Sequence, residues 1–121
     1  MKAKNIHHVQ VCIPPGSEDQ ARDFYCGVLG LTEIPKPQAL KSRGGFWLEI
    51  GQQQLHIGVE NFADRTGSKA HVAYLVDDLV AWKRRFQELG VEVTDGVEIP
   101  GFVRAELRDP FGNRIELIQP D

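Results

Sequence analysis

A chain of 121 residues has room for one hydrophobic core and not for two large independent domains. Its composition, 41% hydrophobic with 26% charged and 8% aromatic residues, is that of an ordinary globular protein. The net charge of −3 gives a nucleic-acid partner little electrostatic support, and no apolar stretch approaches the ~20 residues that span a bilayer.

The densest basic run, Lys83-Arg84-Arg85, falls inside a helical pattern and reads as a solvated helix face. Residues 1–5 lead straight into a strand without the apolar core of a signal peptide. Two cysteines, Cys12 in a strand and Cys26 in a helix, do not make a disulfide framework. The expectation is a reduced, cytoplasmic protein with no membrane or nucleic-acid partner.

In chain order, residues 6–13 alternate as a strand, with Val9, Val11 and Ile13 on one face and His8, Gln10 and Cys12 on the other. Pro14-Pro15-Gly16 ends it, and Ser17 is placed to cap a helix over residues 18–29 that Gly30 stops. A short strand over 31–35 and a loop over 36–43 follow. Residues 46–50 and 53–59 form a hairpin around Gly51-Gln52, with Leu55, Ile57 and Val59 toward the core and Gln54, His56 and Gly58 opposite. The polar stretch 61–68 reads as a linker.

The second half repeats the plan. Residues 70–76 read as a strand, and 79–89 as a helix with Leu79, Trp82, Phe86 and Leu89 inward and Gly90 as its stop. Strands over 91–97, 102–107 and 114–119 complete it. The turn Asp109-Pro110-Phe111-Gly112-Asn113 introduces the last strand, in which Ile115 and Leu117 alternate with Arg114 and Glu116. Each half reads β-α-β-β-β, as module 5–60 and module 69–121 of a single domain.

The repeat carries chemistry. Gly30 and Gly90 stand 60 positions apart, as do His56 and Glu116; His8 and His71, each in the first strand of its half, stand 63 apart. All four lie on strand faces turned away from the helices. A mid-strand carboxylate such as Glu116 is costly to bury unless a positive group meets it, and His8, His56 and His71 are candidates to hold that group, a metal ion. His7, on the opposite face, is the control and is expected not to bind.

These residues resemble the vicinal oxygen chelate superfamily, which contains glyoxalase I, bleomycin-resistance proteins, fosfomycin-resistance enzymes and extradiol dioxygenases. The resembling features are His7-His8-Val9-Gln10-Val11, Ala21-Arg22-Asp23-Phe24-Tyr25 with Leu29-Gly30-Leu31, His71-Val72-Ala73, and Asp109 through Leu117. The resemblance implies an α+β fold of two tandem βαβββ modules in a curled mixed-sheet cup. It implies one divalent metal per site (Zn, Ni, Fe, Mn or Co) held by His8, His56, His71 and Glu116. Glyoxalase-type enzymes carry a glutamate where this chain has His56, a position from which that glutamate can take a proton from carbon. A metal-bound neutral histidine is a poor replacement, so glyoxalase I activity itself is not expected.

Three imidazoles and one carboxylate suit borderline divalent ions and would leave two of six octahedral positions for a bidentate small-molecule substrate. Catalytic candidates are Glu116, Glu49 and Glu106, the last two as alternative bases. Arg43 and Arg104 are candidate substrate-binding cations, and Trp47 and Phe102 candidate pocket walls. A Glu–Arg cross-strand pair is the plainer expectation for Glu106 and its arginine neighbours, and a core position for the aromatic residues. The expected function is a metal-dependent lyase/isomerase or dioxygenase. The alternatives are a bleomycin-resistance-like binding protein and a fosfomycin-resistance-like thiol transferase. A homodimer is expected, because an open sheet edge needs covering. The ligands then come from one chain or from two.

Overall fold

The computed structural model describes residues 1–61 and 63–121; Phe62, within the expected linker, lies outside the described residues. The chain falls into two compact units, Met1–Ala63 and Asp64–Asp121. Each is an α+β unit with a four-stranded mixed sheet and the expected β-α-β-β-β order.

In the first unit, β1 (His8–Ile13), β2 (Thr32–Ile34), β3 (Phe46–Ile50) and β4 (Gln53–Val59) pair in the order β1-β4-β3-β2, with β1 parallel to β4 and the others antiparallel. The helix α1 (Glu18–Arg22) runs on into a π-helical turn, Asp23–Val28. There Leu29 N–H reaches back five residues to Phe24 C=O at 2.9 Å. The widened turn still buries Phe24 and Tyr25 beside Ala21, and Phe46, Leu48, Leu55 and Ile57 of the sheet are buried as well. Ser17 stands at the N-cap, but its hydroxyl donates to Pro14 C=O at 2.6 Å and closes the preceding turn instead. The expected loop 36–43 contains a 3-10 segment, Gln38–Arg43.

In the second unit, β5 (His71–Leu75), β6 (Thr94–Asp95), β7 (Phe102–Arg108) and β8 (Arg114–Pro120) pair in the order β5-β8-β7-β6. The helix α2 (Leu79–Glu88) is capped twice. Asp78 accepts from Ala81 N–H at 3.0 Å, and Gln119 Oε1 accepts from Leu79 N–H at 2.6 Å. Leu79 and Phe86 are buried with Tyr74, Leu107, Ile115 and Leu117, each such side chain contributing ~1.5–3 kcal/mol of burial. Leu89, expected inward, is exposed, because the helix ends one residue before it. The strand expected over 91–97 shrinks to Thr94–Asp95. The Val97 carbonyl accepts from the Arg104 side chain rather than from a neighbouring strand.

The turn before β8 is tied down by Asp109, whose buried carboxylate accepts from Phe111 N–H, Asn113 N–H and the Asn113 amide at 2.8–2.9 Å. Arg108 donates to the carbonyls of Arg65, Ser68 and Gly112, which fixes residues 65–68 to that turn. The pairing register repeats with the sequence. Gln10 stands opposite His56 as Ala73 stands opposite Glu116, and His8 opposite Gln54 as His71 stands opposite Arg114. The four candidate ligands therefore occupy equivalent places in two equivalent sheets.

Candidate functional site

The polar face of the first sheet gathers around His56. Trp47 on β3 is directly opposite it, and His8 on β1 is diagonal to it. The three rings form a ladder: Trp47 and His56 stack at 4.0 Å and 4°, His56 and His8 at 4.1 Å and 13°. The middle ring is buried, whereas His8 is exposed. Burial, then the charges of His8, His7 and Lys36, push His56 down to about 4, so its ring is neutral at neutral pH. Its Nε2 lies 2.8 Å from Gln54 Oε1, a pure acceptor, so Nε2 carries the proton. His7 Nδ1 meets His8 Nδ1 at 3.0 Å.

The equivalent face of the second sheet is charged. Glu116 is buried, with its Oε1 3.1 Å from Arg104 Nη1 and 3.7 Å from His71 Nε2. Arg104 is itself held by the Val97 carbonyl. Glu106, directly opposite Glu116, pairs with Arg114 at 2.8 Å, as the cross-strand expectation had it. The His71 Nδ1–H donates to Lys69 C=O at 2.8 Å, which turns Nε2 toward Glu116.

The remaining expected site residues fall on their own elements. Glu49 shares the His56 face and is exposed, Arg43, also exposed, ends the 3-10 segment, and Phe102 is 37% exposed at the start of β7. Surface clefts lie elsewhere among the described residues. One of about 610 Å³ is lined by Leu75, Asp77 and Trp82, and one of about 310 Å³ by Arg22, Lys36 and Lys41. Sequence reasoning missed Gln54 and Lys69 as partners of the histidines. Gln54 was visible as the same-face neighbour of His56, whereas a backbone carbonyl leaves no mark in the sequence.

The donors come as pairs. Among the described residues, neither unit gathers three His, Cys, Asp or Glu side chains into a ligand set. The His71–Glu116 pair fits a cation: a carboxylate oxygen and an imidazole Nε2 face one another, and an oriented Nδ1–H on a carbonyl is the usual support of a metal-binding histidine. Two ligands at ~2.1 Å from one ion stand roughly 3.0–3.4 Å apart, slightly closer than these two. The His8–His56 pair fits less well, because Gln54 holds the His56 Nε2 proton.

Residues 5–117 match the family model of the Glyoxalase/Bleomycin resistance protein/Dioxygenase superfamily. The chain belongs to that superfamily. Among solved structures, a glyoxalase family protein from Bacillus anthracis is similar at 43% identity and TM-score 0.93, over 100% of this chain and 98% of that one. A lactoylglutathione lyase from Agrobacterium tumefaciens is 22% identical, with TM-score 0.73 over 98% of this chain and 95% of its own. An antibiotic-binding protein from a Streptomyces species is 23% identical, with TM-score 0.73 over 100% and 99%. The last two share the glyoxalase-superfamily fold with this chain. No curated protein is a match. No helix among the described residues is long and apolar enough to cross a membrane.

Proposed function

We propose that this superfamily member is a divalent-metal-dependent enzyme that chelates neighbouring oxygens of a small substrate, as a lyase/isomerase or a dioxygenase. One observation carries the proposal: His71 Nε2 and the Glu116 carboxylate face each other at 3.7 Å, a nitrogen and an oxygen that together could hold one cation. His71 and Glu116 would hold the ion on the face of the second sheet. When bound, such an ion polarises substrate oxygens as a Lewis acid.

The chain's own residues define the rest. Arg104 gives the neighbourhood of Glu116 a positive charge that would orient an anionic substrate group. Glu106 is engaged by Arg114, whereas Glu49 is exposed on the His56 face and is the freer candidate base. A homodimer belongs to the proposal, since β1 and β5 each lie at an edge of their own sheet; sedimentation tests it.

A second reading, a metal-free binder of a flat small molecule, is favoured by two observations. Arg104 already satisfies Glu116, and the Trp47–His56–His8 ladder offers an aromatic face. Elemental analysis after purification with divalent metal separates the two. The enzyme reading expects one ion per site in the wild type and none in His71→Ala or Glu116→Ala. A metal-free wild type, or full occupancy in both variants, would contradict it.

A further inference from the structure

The face of the second sheet that carries His71 and Glu116 does not end at those polar groups. Side chains on one face recur at every second residue, so β8 continues from Glu116 to Ile118 and Pro120, and β5 from His71 through Ala73 to Leu75. The register sets Leu75 and Arg104 on either side of Ile118, and Phe102 opposite Pro120. Arg104 aims its guanidinium at Glu116 and at the Val97 carbonyl, which leaves its aliphatic stem beside Ile118. Leu75 is 72% exposed and Phe102 37%, although burying either would be favourable. The result is an apolar strip, Leu75–Ile118–Pro120–Phe102, that begins roughly 7 Å along β8 from Glu116 and ends at roughly 13 Å.

The strip runs into a cleft. Leu75 and Pro120 also line the space of about 610 Å³ at the ends of β5 and β8, where Trp82 of α2 supplies a further apolar wall. That volume lies within the range of small-molecule sites. Its polar groups do not suit an anion: Gln119 already gives its side-chain oxygen to Leu79 N–H, and Asp77 adds a negative charge.

We propose that the strip and cleft form a subsite for an uncharged apolar group of the substrate, alkyl or aryl, whose oxygens lie at the His71–Glu116 end. The inference rests on the metal-dependent reading of the site and narrows it to a two-ended substrate, polar where it chelates and apolar beyond. Continuity argues for the substrate as occupant. The strip shares its sheet face with the charged pair, so a protein laid over it would cover Glu116 as well.

Alkyl hydroxamic acids test this, because each carries two neighbouring oxygens and a tail of chosen length. Calorimetry on zinc-loaded protein should show octanohydroxamic acid binding at least roughly tenfold more tightly than acetohydroxamic acid, as burial of several methylenes requires. Leu75→Ser should remove most of that gain while zinc content and acetohydroxamic affinity stay unchanged. Val80→Ser, which removes a similarly exposed apolar side chain from α2, should preserve the gain. Equal affinities in the zinc-loaded wild type, or an undiminished gain in Leu75→Ser, overturn the inference and leave the enzyme reading standing. Equal affinities beside a wild-type dimer that Leu75→Ser disperses in sedimentation overturn it too, and assign the strip to a second copy of this chain. A wild type that takes up no divalent metal overturns the enzyme reading instead. Methyl NMR shifts of Leu75 and Ile118 with octanohydroxamic but not acetohydroxamic acid then keep the apolar subsite, and their absence overturns it as well.

Discussion

Arg104 holds Glu116 through the same carboxylate oxygen that faces His71, with Nη1 at 3.1 Å. A buried carboxylate deprived of its only guanidinium partner among the described residues is costly, so Arg104→Gln should destabilise metal-free protein by ~1–3 kcal/mol in urea unfolding. The same change frees Glu116 for an added divalent ion. The rise in melting temperature caused by metal should therefore be larger in Arg104→Gln than in wild type. An equal or smaller rise would show that the guanidinium does not compete with the ion.

His56 gives the metal-free protein a defined pH dependence. Its ring titrates near 6.5 when unfolded and at about 4 when folded. Between these values the unfolded chain binds a proton that the folded chain does not, so stability is lost as pH falls from about 6.5 to about 4 and levels off below. Urea midpoints measured across that window should fall toward acid, and His56→Phe should flatten the fall. An identical slope in the variant would assign it to other groups.

Gly45 joins the 3-10 segment to β3 at φ +79°, and a Cβ there would stand 2.0 Å from the Ile57 carbonyl oxygen. Gly51, in the β3–β4 turn at φ +56°, would place a Cβ in open space. Gly51→Ala should cost only the left-handed backbone penalty, ~1–2 kcal/mol. Gly45→Ala adds a backbone clash and should cost distinctly more. Equal losses in chemical denaturation would contradict the close approach.

Turnover of the methylglyoxal–glutathione adduct is expected to be negligible. Glu116 has its repeat equivalent at His56, whose Nε2 proton is held by Gln54, so no carboxylate stands at that position to move a proton from carbon. A kcat near the ~10 s⁻¹ typical of enzymes would contradict this.

Much of the fold was legible in the residues because alternation and helical spacing record which face of an element is buried. Val9, Val11 and Ile13 against His8, Gln10 and Cys12 predicted the sidedness of β1, and the 60- and 63-residue spacings predicted a register that repeats between the sheets. The failures came where local pattern lost to a specific partner. Residues 91–97 alternate as a strand should, yet Arg104 takes the Val97 carbonyl and only two residues pair. The π-helical turn at Asp23–Val28 has no periodic signature, since the apolar spacing of residues 21–29 serves an ordinary helix equally well.

The sequence by itself determined two βαβββ modules, the superfamily, and the strand faces on which His8, His56, His71 and Glu116 stand, because burial of apolar faces depends on residue order alone. Only the tertiary structure decided what each side chain does there. Stacking of Trp47, His56 and His8, the Gln54 hydrogen bond and the Arg104 ion pair depend on cross-strand register and ring orientation. A one-dimensional pattern carries the face of a side chain but not its direction or its partner.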